Sequence, residues 1–350
     1  MPIKYLGSKR VLVPRIVALV RELAPPGATV LDLFSGTARV GHALKGAGYR
    51  VLANDVHAYA ATIARTYVQA DAERWQDQAA AWLADLQRLP GAAGWFTRDY
   101  CERSRFFQPA NGARIEAIRN AIAAAALHPE LEAVLLTSLM EAADRVDSTT
   151  GVQMAYLKQW AQRAGNDLEL RVPELLPGVA AGPCRATQLD AREAAATLQA
   201  DIAYLDPPYN QHSYLGNYHV WETLVRWDAP EVYGIACKRL DCRERRSDFN
   251  SKRRFLDAWR DTLAAVRAER LIVSFSNEGF VTREEMEALL RKRGEVAVIA
   301  CDHPRYVGAR IGIHNPQGER VGRVSHVRNT EYLFVVTPDS VPALAAGADL

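Results

Sequence analysis

The chain has 350 residues, 49% hydrophobic and 24% charged, with a formal net charge of +2. That is enough apolar material for one large domain with an insertion, or for two domains, and the charge balance neither demands nor excludes nucleic acid. No apolar run approaches the roughly 20 residues that cross a bilayer, and Cys101, Cys184, Cys237, Cys242 and Cys301 form neither a zinc nor a disulfide pattern. A cytoplasmic protein with no metal, no leader segment and reduced thiols is expected.

In chain order, Val30-Leu31-Asp32-Leu33-Phe34 reads as a short buried strand closed by Ser35-Gly36. Helix signals follow from Thr37 to Lys45, Gly46 and Gly48 stop them, and Tyr49 to Ala53 forms a second strand ended by Asn54-Asp55. Such a βαβ unit belongs to a parallel sheet with crossover helices. From residue 58 to residue 177 the pattern changes. Ala60 to Leu89, Ala113 to Ala126 and Leu131 to Val146 carry apolar residues at helical spacing. Turns are predicted at Leu89-Pro90-Gly91 and Pro109-Ala110-Asn111-Gly112.

The α/β pattern then returns. Ile202 to Leu205 is a strand running into Asp206-Pro207-Pro208-Tyr209, and Asn217-Tyr218-His219 starts a helix that ends near Trp227. Leu271 to Phe275, Glu295 to Ala300 and Glu331 to Val336 read as further strands, with an irregular loop or hairpin over Pro304 to Val327. The architecture expected is α/β: residues 1–57 and 178–350 build one sheet, and residues 58–177 form a helical insertion.

Two places in this pattern carry chemistry. Asp32-Leu33-Phe34-Ser35-Gly36-Thr37 sits at the carboxyl end of the first strand, where open parallel sheets bind ligands. Gly36 lets backbone approach a ligand closely, and Asp55, ending the second strand, can accept hydrogen bonds from both hydroxyls of a ribose. The spacing is not that of a dinucleotide-phosphate fingerprint. Asp32 lies in an apolar strand and needs a buried partner, so a backbone-capping role is its alternative.

The second place is Asp206-Pro207-Pro208-Tyr209. Its prolines lack amide hydrogens and stiffen the turn, so a carboxylate and a proline carbonyl can both face a planar amine while Tyr209 stacks on the ring carrying it. A plain polyproline turn is the alternative. The Lys238 to Arg254 stretch holds eight basic and three acidic residues, a local excess able to neutralise phosphates or simply a solvated loop. Its Lys238, Arg239, Arg245 and Arg246 are candidate phosphate contacts, with Asn217 and Tyr218 just after the Asp206–Tyr209 turn. In the insertion, Arg103, Arg105, Gln108 and Asn111 surround Phe106-Phe107, and Arg145 precedes the polar run Asp147-Ser148-Thr149-Thr150-Gly151; both are candidate base-reading segments. His219 reads as a structural histidine rather than a general base.

Taken together, these motifs resemble the Dam-like adenine-specific DNA methyltransferases, over most of the chain. Lys4-Tyr5-Leu6-Gly7-Ser8-Lys9 is similar to their N-terminal motif, which implies that Tyr5 and Lys9 contact the methionine end of the cofactor. Asp32, Phe34, Ser35, Gly36 and Thr37 match the cofactor loop, Asp55 the ribose-binding acid, and Asp190 the residue that binds the cofactor's adenine. Asp206, Pro207, Pro208 and Tyr209 match the catalytic motif. The motif order is that of the alpha group, whose helical target-recognition insert precedes the catalytic motif. Ala38 departs from a position where the family often has a second glycine.

The resemblance implies a Rossmann-like methyltransferase fold, S-adenosylmethionine as cofactor, and double-stranded DNA as substrate with adenine flipped from the duplex. It also allows a cognate restriction endonuclease as partner. Two rivals remain at this stage: an amino-methyltransferase acting on RNA or on a protein glutamine, and a catalytically inactive DNA-binding relative.

Overall fold

Alternation along the strands gives the sheet two apolar faces, so helices must cover both. A computed structural model describes residues 3–304, 313–314, 320–322 and 328–339. Its strands are β1 (Thr29–Asp32), β2 (Arg50–Asn54), β3 (Arg185–Thr187), β4 (Ile202–Leu205), β5 (Val232–Tyr233), β6 (Lys238–Arg239), β7 (Arg270–Ser276), β8 (Glu295–Pro304), β9 (Ile313–His314), β10 (Arg320–Gly322) and β11 (Arg328–Thr337). Among the described residues, seven of these form one sheet in the order β3-β2-β1-β4-β7-β11-β8. The first five are mutually parallel, and β11 runs antiparallel between β7 and β8.

The chain moves outward from β1 through β2 to β3, then returns to place β4 on the other side of β1. That reversal is the topological switch point at which such sheets open a ligand crevice. The expected strands are all present, within a few residues of their predicted ends. β3 was not anticipated, because three residues carry too little periodicity. Most of the region expected as a loop or hairpin, Pro304 to Val327, lies outside the described residues; within it β9 and β10 pair antiparallel.

The helices are α1 (Val13–Leu23), α2 (Arg39–Gly46), α3 (Ala58–Ala64), α4 (Ala72–Gln87), α5 (Trp95–Thr97), α6 (Pro109–Ala124), α7 (Pro129–Arg145), α8 (Ala191–Thr197), α9 (Tyr214–Asn217), α10 (His219–Arg226), α11 (Phe255–Ala265) and α12 (Arg283–Leu290). α1 was also not anticipated, although its signal is in the sequence. Pro14 sits in the first turn, where its missing amide hydrogen costs nothing, and Ile16, Leu19 and Val20 form the buried stripe. The same rule corrects the turn predicted at Pro109: this proline opens α6, and Asn111 and Gly112 lie inside the helix. Among the described residues no helix is long and apolar enough to cross a membrane.

One face of the sheet carries Val30, Val51, Tyr204, Ile272 and Leu333 into a core shared with Phe96, Ile118, Leu135 and Leu139 of the helical block. The other face carries Leu31, Leu205, Val273 and Phe334 against Ala194, Trp259, Met286 and Leu290 of α8, α11 and α12. The helices within residues 58–177, from α3 through α7, pack into this first core rather than standing apart. Every residue of α3 is buried.

Gly112 shows how closely α6 packs. A Cβ there would lie 2.1 Å from Cys101 Sγ. Alanine in a helix ordinarily gains 0.5–1 kcal/mol over glycine by roughly that amount of backbone entropy, but overpacking costs about 1–3 kcal/mol. Gly112→Ala is therefore expected to lower stability in chemical denaturation, and Gly112→Ala combined with Cys101→Ala to recover it. A stabilised single variant would contradict this packing.

Candidate active site

The turns that follow β1, β2 and β4 converge on a pocket of about 380 Å³. The β1 turn is tight: Gly36 takes φ +52, and a Cβ on it would sit 3.3 Å from the Tyr5 ring. Ala38 takes φ +59, the left-handed conformation that glycine adopts freely and alanine adopts at a cost of about 1 kcal/mol. The departure at position 38 thus keeps the backbone geometry of the loop.

Asp32 is buried, as its apolar strand demanded. Its Oδ2 accepts a hydrogen bond from Ser35 Oγ at 3.1 Å, while its buried Oδ1 has no hydrogen-bond partner among the described residues. Burial pushes its pKa up to about 7. Asp55 orders the neighbouring turn, accepting from Gly36 N–H and His57 N–H at 3.0 Å each. Burial raises its pKa also. Asp190 caps α8 by accepting from Arg192 N–H and lines the same pocket. Phe34 meets Phe249 edge to face at 5.2 Å, and Ser35 and Thr37 complete the wall.

β4 delivers Asp206 into this pocket, beside Pro208. Pro207 is buried. Lys9 Nζ lies 2.9 Å from Asp206 Oδ1 and 2.9 Å from Glu331 Oε1. Burial and the nearby Glu331 charge push the Asp206 pKa up to about 6 against the opposing pull of Lys9. Tyr209 packs edge-on to Phe275 at 5.6 Å. Tyr5 stacks on Tyr218 at 4.6 Å and on Tyr214 at 5.3 Å. The N-terminal motif therefore reaches the site twice, through a tyrosine stack and through the Lys9 ion pairs.

The residues predicted to touch DNA divide sharply. Arg239 is 2% exposed, and its guanidinium donates to Asp228, Asp241 and Thr223. Those bonds engage all its N–H groups, so it offers nothing to a phosphate. Asn111 is buried and donates its amide to the carbonyls of Ala164 and Asn166. Asn217 and Tyr218 are buried too, and Tyr218 hydroxyl accepts from Leu6 N–H at 2.6 Å. These four belong to the interior, where polar groups must be paired.

The Asp147-Ser148-Thr149 run is likewise buried, with Asp147 held by Lys4 and Arg163. Arg145 donates to the Glu169 carbonyl. Arg103 is half-exposed beside Asp99, Arg105 donates to the Lys158 carbonyl and lies over the Trp160 ring, and Lys238 is half-buried. Arg245 and Arg246 line the same pocket as Asp32 and Asp206, Arg245 pairing with Glu222 at 3.0 Å. Lys252 and Arg253, a few residues on, are exposed. His219 is fully buried, bonded to the Gln153 carbonyl and pushed to a pKa of about 3, so it stays neutral.

Reasoning from sequence missed Glu331, Phe249 and Arg245's place at the pocket. Glu331 had a signal: it is a lone acid in an apolar strand, as Asp32 is.

A parallel sheet opening at its switch point, with acids on three successive strand ends, defines a Rossmann-like methyltransferase fold. The chain belongs to the D12 class N6 adenine-specific DNA methyltransferase family, whose model matches residues 5–269. It is 29% identical over 304 residues to the modification methylase StsI of Streptococcus sanguinis, covering 83% of this chain and 46% of that protein. It is 30% identical over 309 residues to the type II methyltransferase M.FokI of Planomicrobium okeanokoites, covering 83% and 47%. Against the type II methyltransferase M.NlaIII of Neisseria lactamica it is 26% identical over 337 residues, covering 92% and 98%. The chain spans about half the length of the first two relatives.

Asp32 yields a test. The unfolded chain releases this proton near 3.8, whereas the folded chain holds it to about 7. The site therefore loses stability as pH rises through that window. Asp32→Asn is expected to raise the melting temperature at pH 8 and to flatten its decline between pH 4 and 7. An unchanged pH dependence would show that burial does not hold Asp32 protonated in the folded chain.

Proposed function

We propose that the chain methylates the exocyclic N6 of an adenine extruded from duplex DNA, with S-adenosylmethionine as donor. One observation carries this reading: Asp206 lines the same pocket as Phe34, Ser35, Gly36 and Asp55. The pocket suits that cofactor chemically. The unpartnered Asp32 Oδ1 is an acceptor for an ammonium, Asp55 for ribose hydroxyls, Asp190 for an adenine edge, and Phe34 with Phe249 forms an apolar wall for the purine. S-adenosylmethionine supplies a methyl group already activated on a sulfonium.

The chain's own residues then hold the acceptor. Lys9 engages Asp206 Oδ1, so Oδ2 is the oxygen that takes one hydrogen of the adenine amine. The Pro207 carbonyl takes the other. Both bonds turn the nitrogen lone pair out of conjugation and toward the donor. Tyr209, held edge-on by Phe275, stacks on the base. Orientation and exclusion of water supply the catalysis.

Residues 58–177 serve as the target-recognition insertion, with Arg103 and Arg105 among its outward cations. Backbone phosphates are met by Arg246, Lys252 and Arg253, which are exposed, rather than by Arg239. A restriction endonuclease sharing the recognition site is the partner this reading implies, supported by relatives named modification methylases.

Asp206→Ala should cut methyl transfer to duplex DNA at least about 10²-fold. Its cofactor affinity by calorimetry should stay within a few-fold of wild type. Full transfer by that variant, or transfer to RNA or protein in place of DNA, would overturn the assignment. Lys252→Gln with Arg253→Gln should reduce the slope of log affinity against log salt by about 2, since each phosphate contact contributes about 0.9. An unchanged slope would move the DNA backbone off this segment.

A further inference from the structure

The clamp on Asp206 reaches further than the catalytic motif. Lys9 Nζ sits midway in a chain of polar groups running Asp206, Lys9, Glu331, Ser274, with Ser274 Oγ donating to Glu331 Oε1 at 2.6 Å. The Lys9 and Glu331 side chains are 9% and 3% exposed. Glu331 comes from β11, more than 60 positions beyond the last residue the family model matches, by roughly the count from residue 269. Strand alternation aims it here: Glu331 and Leu333 of β11 share a face, and Ser274 and Ser276 of β7 share the same one.

We infer that Glu331 is a positioning residue that orients the Asp206 carboxylate through Lys9 and biases its ionisation directly by its own charge. This rests on the reading of Asp206 given above. Two buried carboxylates share one ammonium, each at 2.9 Å. A single Lys9–Asp206 pair would be neutral and could turn about its one contact. The second carboxylate holds the Lys9 ammonium from its other side, at the position where it meets Asp206 Oδ1.

The groups facing Asp206 are Lys9 from the N-terminal segment, Glu331 from β11, Asp32 from β1, Tyr204 from β4, and Tyr209 and Tyr214 from the turn and α9. Burial holds the tyrosines protonated throughout the neutral range. Asp32 titrates near 7 and is the neighbour whose signal must be told apart. The Glu331 charge raises the Asp206 pKa and Lys9 lowers it, so removing either moves Asp206 in a defined direction.

The test is a carbon-13 NMR titration of the full-length protein labelled at aspartate side-chain carboxyls. The Asp206 and Asp32 resonances are assigned with Asp206→Asn and Asp32→Asn. Glu331→Gln, which keeps the volume, should lower the Asp206 midpoint by about one unit. The acid limb of the kcat–pH profile for methyl transfer should follow it. Lys9→Met should raise the midpoint, and adding Glu331→Gln to Lys9→Met should lower it again. An Asp206 midpoint that ignores Glu331→Gln in both backgrounds overturns the inference, and the second background keeps the test open if the single variant does not fold. Absence of methyl transfer by the wild-type chain would instead sink the methyltransferase reading, because the titration is read without substrate.

Discussion

The parallel pairing of β1 with β4 is the constraint on which the site depends. It puts Asp32 opposite Tyr204, so the turns leaving both strands open on one crevice. β1 carries the loop that ends at Gly36 and Ala38, and β4 carries Asp206. No local preference brings these segments together, since some 170 residues separate them by order of magnitude. A one-residue slip of β1 would carry Asp32 to the opposite face of the sheet, out of the pocket.

Charge is the second organising quantity. The pocket gathers Asp32, Asp55, Asp190 and Asp206, and Lys9 on its wall bridges Asp206 to Glu331 of β11. Buried acids of this density are costly unless paired. Here the cost is met partly by amide and hydroxyl donors, as at Asp55 and Asp32, and partly by raised pKa values. The wall also carries Lys9, Arg39, Arg192, Arg245 and Arg246, so the sign of a cationic group in a ligand is local: the buried Oδ1 of Asp32, without a hydrogen-bond partner among the described residues. The helical block supports the same site through Tyr59, whose hydroxyl lies 3.2 Å from that of Tyr5, and through Asp144 and Asp147, which hold Lys4.

The basic run between Lys238 and Arg254 shows how far one dimension carries. Its charge is evident in sequence, and Lys252 and Arg253 are exposed. Composition could not separate these from Arg239, which neutralises Asp228 and Asp241 inside the fold, or from Arg245, which pairs with Glu222 at the pocket. The partners of a buried arginine lie on other elements, and nothing local marks them. Asn111 is the same case: an amide fit for reading adenine instead satisfies two carbonyls of a loop about 53 residues away.

The sequence by itself determined the alternating α/β pattern, the helical block between residues 58 and 177, and the two motifs that end β1 and β4. Hydrophobic periodicity and turn chemistry act over a few residues and can be read in order along the chain. Tertiary structure alone decided that Lys9 bridges Asp206 and Glu331, that Phe249 closes on Phe34, and which cations stay outside. Those contacts depend on strand order and on which face each side chain takes, and both are settled only when the sheet assembles and its buried charges find partners.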